Sequence, residues 1–336
     1  MNRATVLSGS TVLALVISGC GGGGGGGAVP SAATIAEPPL PSEPATGTIN
    51  SGSVLTVAGR SVNAALQSGS FGDIADFVGL TAVTSSAPSS LGSGAIAKPG
   101  GSNGWSQVPF GPETTRCEVD GSVTVSGDIA NPLTVTEGDF LDYSWDSCND
   151  GLDQVVDGFI GMTFTEFEGN LLSGSILLGI ALDLEGFQVT EAADFNLTDG
   201  GMSLTIDSRT KPNTVVITRG SSLVVSNGAG TETLTNFSSS VTENTSAAPS
   251  SFTTDASGTI SSSLFSGSVN YDMASAFLST GDDYPYAGEM VVTGTSNARI
   301  RIIALSAASV RIQADYDGDG APDATIDTTW DALIDG

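Results

Sequence analysis

From Cys117 onward, apolar and polar residues alternate with a period of two. Val119, Val123 and Val125 are interleaved with Asp120, Ser122 and Thr124. Ile160, Met162 and Phe164 alternate with Gly161, Thr163 and Thr165. The longest run is Ile176, Leu178, Ile180, Leu182 and Leu184, with Ser175, Asp183 and Glu185 opposite. Met202, Leu204 and Ile206 continue the pattern, then Val215 and Ile217, then Val269 and Tyr271. Ile300 and Ile302 alternate with Arg299 and Arg301, and Val310 and Ile312 flank Arg311. Side chains at every second position line one face of a strand, so this pattern predicts half-buried antiparallel strands. Asp199-Gly200 and Asn227-Gly228 have the composition of tight turns. The prediction for residues 105–336 is an all-β domain, a curved antiparallel sheet or open barrel, with a β-sandwich as the alternative.

The period is different before that domain. Leu55, Ala58, Val62, Ala65 and Leu66 fall on one face at helical spacing, and Gly69 is placed to end the helix. Phe71, Ile74 and Val78 suit a second short turn, and Ser85 to Asn103 reads as a linker. Residues 51–104 are therefore a helical segment and linker. A helix ahead of many strands is placed to cover the concave face of their sheet. That order of elements resembles the open β-barrels of some bacterial lipoprotein carriers.

The first residues have another character again. Arg3 supplies a positive charge, a short apolar core runs to Val16, and Ser18 and Gly19 precede Cys20. This is the layout of a signal peptide over residues 1–19, too short to span a bilayer. Ile17-Ser18-Gly19-Cys20 resembles the lipobox of bacterial lipoproteins. The resemblance implies a diacylglyceryl group on the Cys20 thiol, an acylated amine after cleavage, and attachment to a membrane. Gly21 stands where an aspartate signals inner-membrane retention in enterobacterial lipoproteins, so the resemblance points to the outer membrane. Residues 20–50 hold an unbroken glycine run, Gly21 to Gly27, then Pro30, Pro38, Pro39, Pro41 and Pro44. They read as a tether, flexible first and stiffer after. A membrane-spanning barrel would make such an anchor redundant.

Charge and composition narrow the chemistry. The 336 residues carry 37 acids against 10 Lys plus Arg, a formal net charge of −27. That balance argues against nucleic acid, whose phosphates need Lys and Arg, and favours divalent cations. There is no histidine, which excludes Ser-His-Asp triads, Cys-His pairs and histidine metal sites. Lys98 and Lys211 are the only lysines. Besides Cys20 the cysteines are Cys117 and Cys148. In an oxidising envelope compartment they most simply form a disulfide, the alternative being two separate buried thiols.

The densest chemistry is Asp315-Tyr316-Asp317-Gly318-Asp319-Gly320-Ala321-Pro322-Asp323. Calcium takes 6–8 oxygen ligands, from carboxylates and backbone carbonyls. Alternate aspartates with glycine at the turn offer such a set: Asp315, Asp317, Asp319 and Asp323, with the Ala321 carbonyl. The stretch resembles the calcium loops of EF-hands, integrin propeller repeats and thrombospondin type 3 repeats. It departs from the EF-hand at Ile326, where that family has a bidentate glutamate; Asp327, one residue on, is the added candidate. Val310-Arg311-Ile312 and Ala324-Thr325-Ile326 read as strands, so the better match is a hairpin loop of the integrin type. The expectation is a structural calcium clip.

These features together predict a lipid-anchored outer-membrane protein with a binding or structural role, calcium-stabilised and not an enzyme. Its partners are the membrane and an unidentified protein, glycan or apolar small molecule. Two alternatives are a periplasmic carrier of an apolar ligand, which needs an apolar cavity, and a carboxylate-based hydrolase, which needs two acids in one cleft, one with a raised pKa.

Overall fold

The alternation is realised as a single antiparallel sheet. The computed structural model describes residues 44–70, 108–129, 135–149, 151, 154–170, 175–191, 194–227, 230–246, 248–281 and 283–334. All belong to one unit, Ser42–Gly336. Its strands are β1 Val108–Arg116, β2 Asp120–Ile129, β3 Phe140–Asn149, β4 Gln154–Asn170, β5 Ser175–Glu191, β6 Asp194–Asp207 and β7 Asn213–Asn227. They continue as β8 Gly230–Asn244, β9 Ser251–Ser262, β10 Ser268–Thr280, β11 Ala287–Thr293, β12 Arg299–Ser306, β13 Ser309–Asp315 and β14 Ala324–Thr329. Each strand pairs with its neighbour in sequence, and the order runs β1 to β14 without a crossover. Among the described residues nothing joins β14 back to β1, so the sheet is open. Helix α1 (Val54–Ser70) precedes the strands and the short helix α2 (Trp330–Ile334) follows them. Residues 71–107, which include the expected second turn, the linker and Trp105, lie outside the described residues, as do the leader and the glycine run.

Register carries the core from strand to strand. Met162, Leu182 and Met202 face one another across β4, β5 and β6. Leu223, Leu234, Ile260 and Val269 make a row through β7 to β10. Met290, Ile302, Ile312 and Ile326 make another through β11 to β14. All but Ile326 are buried. Each such side chain contributes roughly 1.5–3 kcal/mol by leaving water, so these rows set the register.

In β7 the inward side is not the one the pattern suggested. Val215 and Ile217 are half-exposed, while Thr218 is buried, with Val216 packed against the core. Val215-Val216-Ile217 is apolar on both faces, so alternation could not choose between them. Thr218 faces inward opposite Ser239, also buried, and among the described residues neither hydroxyl has a hydrogen-bond partner, so backbone register and not side-chain polarity sets this phase.

Strands as long as β4 and β5 must bend to stay on a common core, and β-bulges supply the bends. Register shifts fall between Asp157 and Phe159, Leu184 and Phe187, Gly201 and Ser203, Thr235 and Ser238, and Asp272 and Phe277. Asp199-Gly200, expected as a turn, sits inside β6 beside one of these bulges, and Asp199 Oδ1 accepts the Gly186 N–H. Hairpin turns of the primed types and glycine bulges both take a residue at positive φ, and Gly200 has φ +126°, so the dipeptide suits either. Gly158 shows the requirement most sharply: its φ is +96°, and a Cβ there would lie 2.2 Å from the Gly186 carbonyl oxygen.

Helix α1 is capped by Asn50 and Ser53. Asn50 Oδ1 accepts the N–H groups of Gly52 (2.8 Å) and Ser53 (3.1 Å), and the Val57 N–H donates to the Ser53 carbonyl at 2.8 Å. The helix packs on β7, β8, β9, β11 and β12, which extends one core across most of the second half of the sheet. Its buried face is Val54, Val57, Ala58, Ser61, Val62, Ala64 and Ala65. Leu55, expected on that face, is exposed. It occupies the first turn, where Val54 takes the inward position instead. Gly69 is the penultimate helical residue, close to its expected role. Before the helix, the N–H groups of Thr46 and Gly47 donate to the Ser268 carbonyl (3.0 and 2.7 Å), and the Thr295 N–H donates to Gly47 O at 2.8 Å. Residues 44–50, read from sequence as the end of a tether, are thus bonded into the sheet.

At the other end, the indole N–H of Trp330 donates to Pro285 O and Ser306 O, both at 3.1 Å. Its ring stacks on Tyr284 and meets Phe277 edge-on. Cys117 and Cys148 form a disulfide with Cα atoms 5.5 Å apart, tying the end of β1 to β3. Closing a loop of this length constrains the unfolded chain by roughly 3–4 kcal/mol in the chain-entropy model.

One ion pair lies between α1 and the sheet. Arg60 Nη1 is 3.4 Å from Glu232 Oε1, and both side chains are largely buried. Burial pushes the Glu232 pKa up, and the Arg60 charge offsets that only in part. At 3.4 Å the contact is too long for a strong hydrogen bond, and Oε1 has no other partner.

Gly158→Ala should lower unfolding free energy by at least about 2 kcal/mol, through strained φ and the clash with Gly186. Gly111→Ala, with nothing within 4 Å of its Cβ, should be near neutral; chemical denaturation measures both. Arg60→Met should cost about 3 kcal/mol by stranding Glu232, and the double change Arg60→Met with Glu232→Met should recover most of it. The pH dependence has a definite sign. Because the folded Glu232 pKa is raised, its proton stabilises the fold fully below the unfolded pKa, and that contribution is lost as pH rises through the folded value. The stability difference between the parent and Glu232→Gln should therefore shift against the parent between acid and neutral pH, as read by urea titration at each.

Candidate metal loop

The aspartate-rich stretch connects β13 to β14. Asp315 ends β13 as a buried residue, and Asp323 immediately precedes β14. The loop is closed by the Asp323 N–H, which donates to Ala314 O at 2.7 Å. Asp315 accepts the N–H groups of Gly318 on Oδ1 (2.7 Å) and Gly320 on Oδ2 (2.9 Å). Asp317 Oδ1 accepts the Asp319 N–H at 3.2 Å, and Asp319 Oδ1 the Ala321 N–H at 2.7 Å. Asp323 Oδ2 accepts the Tyr316 N–H at 2.7 Å. Short acidic side chains bonded to backbone amides a few residues away are what make so tight a loop foldable.

Asp315, Asp317 and Asp323 converge. A carboxylate oxygen from each lies within 4.8 Å of the others. Oxygens around one calcium ion, each 2.3–2.6 Å from it, are separated by up to about 5 Å, so this spacing fits a shared ion. Among the described residues no Lys or Arg forms an ion pair with these three. Asp319 belongs to the loop but not to the converging set, and its carboxylate caps Ala321. Ala321 is exposed in the same loop.

Asp327 is placed elsewhere. It lies within β14, opposite Arg311 of β13, and accepts from Arg311 Nε (2.7 Å) and Nη2 (2.8 Å). The Arg311 guanidinium holds the Asp327 carboxyl below the usual carboxylate range. Strand register, not loop spacing, decides its partner. The same outer face carries Arg301, which binds Glu289 through Nε (2.7 Å) and Nη2 (2.9 Å) and Gln313 through Nη1 (3.0 Å).

A neighbour absent from the sequence reading supports the loop. The turn Thr295–Asn297 between β11 and β12 has Ser296 and Asn297 at φ of 58° and 61°. Gly318, at φ +75°, packs on it so closely that a Cβ would sit 2.5 Å from the Ser296 carbonyl oxygen. The run Gly294-Thr295-Ser296-Asn297 has turn composition, but nothing local says which loop it meets. The same turn binds Gly47, so the acidic loop adjoins the point where the chain enters α1.

Between β10 and β11, Tyr284 is partly buried against Trp330, whereas Asp283 and Tyr286 are exposed. Trp145 stacks on Tyr143 and meets Phe187 edge-on. Burial raises the pKa of Asp142, and burial with the Asp255 charge raises that of Asp272. A cleft at the ends of β8 to β10 is lined by Thr46, Thr231, Thr233, Ser261 and Ser268 among others, with no acid among its lining residues. No known protein family, no curated protein and no solved structure matches this chain.

Proposed function

We propose that this chain is an acidic lipoprotein, anchored to the outer membrane through Cys20, whose β-sheet body serves a binding or structural role with its last hairpin clipped by calcium. The observation that carries the calcium part is the approach of Asp315, Asp317 and Asp323 to within 4.8 Å of one another, with no Lys or Arg among the described residues in an ion pair with them. Carboxylates so close repel one another, and a divalent cation reverses the sign of that interaction. Asp315 brings a ligand from the end of a core strand, so the ion would tie the loop to the sheet and not to the solvent-exposed turn alone. The ligand set under this reading is Asp315, Asp317 and Asp323, with Asp319 and the Ala321 carbonyl as candidates to complete the shell. Asp327 is outside it.

The anchor rests on Ile17-Ser18-Gly19-Cys20. Two or more acyl chains, at about 0.8 kcal/mol per buried CH₂, hold a protein on a bilayer where one barely does. Among the described residues no helix is long and apolar enough to cross a membrane. The body's charge opposes adsorption to anionic lipid, which suits a domain held clear of the surface.

Thermal unfolding of the full chain in calcium and in chelator tests the clip. At a hundredfold excess over the dissociation constant, binding to the folded state alone contributes about 2.7 kcal/mol. Asp317→Ala with Asp323→Ala should abolish the calcium response, while Asp327→Asn should leave it intact. Equal midpoints with and without calcium in the parent would sink the assignment. For the anchor, Cys20→Ser should move the chain from the membrane fraction to the soluble one and remove the lipid mass increment on Cys20.

A further inference from the structure

The two edges of the sheet are built differently. An edge strand offers unpaired N–H and C=O groups to any other strand, and proteins blunt that edge with proline, bulges or charge. β1 carries Pro109 and Pro112, a register shift between Phe110 and Glu113, and a disulfide at the residue that follows it. β14 has none of these. Its sequence, Ala324-Thr325-Ile326-Asp327-Thr328-Thr329, has no proline and no lysine, and it pairs with β13 residue by residue from Ala324 to Thr329 without a shift. Its one charge, Asp327, is already bound by Arg311. Among the described residues no strand lies on its free side.

The flanks of β14 say what could pair there. Asp317, Asp319 and Asp323 before it and Asp331 after it are exposed, and neither β14 nor α2 contains a basic residue. On the inner face the row Met290, Ile302, Ile312 ends at Ile326, which is only partly covered. Thr325, Asp327 and Thr329 point to the outer face and are exposed.

We infer that β14 is a docking edge for an extended, basic segment of a partner protein, which adds to the sheet as a further strand. Backbone hydrogen bonds to β14 supply pairing, a β-branched residue covers Ile326 on the inner face, and Lys or Arg residues on the outer face meet the acidic flanks. The incoming segment therefore alternates basic and β-branched residues.

The test uses the full chain in chelator, so that its failure leaves the calcium reading untouched. A short blocked peptide alternating lysine and valine is titrated against it, with a glutamate-valine peptide as control. Binding is read by fluorescence anisotropy, and its place by amide hydrogen exchange. The expected result is selective binding of the lysine peptide, weakened by salt, with new protection of amides in Thr325–Thr329. Thr325→Lys with Thr329→Lys, both exposed positions, should weaken it by about tenfold or more at an unchanged melting temperature. Binding without protection of β14, or unaffected by those substitutions, overturns the assignment. So does protection of β14 in the free chain accompanied by a dimer in solution, which would make a second copy the occupant.

Discussion

Everything in this molecule depends on one sheet remaining a single sheet through fourteen strands. Twisted open sheets of more than about ten strands curl, split or flatten. Here the strands bend instead, at bulges that recur from β4–β5 to β9–β10. Gly158 meets the Gly186 carbonyl at one of them because no side chain could be accommodated there. The bends let Met162, Leu182 and Met202 share a core row, and let α1 reach strands as far apart as β7 and β12. The helix adds little sequence but packs on five strands of the sheet, and the Arg60–Glu232 contact beneath it carries a cost in desolvation.

The acidic loop draws on that rigidity. Asp315 is buried although it follows the outward phase of β13, opposite to Val310, Ile312 and Ala314, because the loop after it folds back and places the Gly318 and Gly320 amides on its carboxylate. Its carboxylate organises Gly318 and Gly320 from a position the loop itself could not hold. The Thr295–Asn297 turn supports the loop from one side and binds Gly47 on the other. A cation there would stiffen the hairpin and its neighbours, including the entry to α1. β14, which has no strand on its far side among the described residues, begins one residue beyond the last converging aspartate, so the candidate metal loop and that edge share one corner of the sheet.

The functional reading combines features of different origin. The proposed anchor rests on residues 17–20 alone and owes nothing to the fold. The proposed calcium loop needs the fold, because its candidate ligands are spaced along a loop whose two ends are pinned by β13 and β14. The absence of histidine removes whole classes of catalysis irrespective of geometry. The acids with raised pKa, Asp142, Asp272 and Glu232, owe the shift first to burial, and Glu232 is spent on a helix contact.

By itself the sequence determined the all-β class, the inward residues of most strands, the helix ahead of them and the aspartate loop. Period-two alternation reports burial directly wherever one face is polar, as in β4, β5, β12 and β13. Alternation loses its meaning where neighbours are all apolar, so the phase of β7 was settled only by its backbone register with β6 and β8. Asp199-Gly200 could not be told from a turn, since bulges and turns ask for the same backbone. Asp327 read as a ligand from its distance along the chain, whereas strand register gave it to Arg311. Leu55 and Val54 were separable only by the direction from which α1 meets the sheet. Which loop touches which, and which edge stays open, come from pairings between residues far apart in sequence. Local composition carries no record of those distances, and only the tertiary structure decided them.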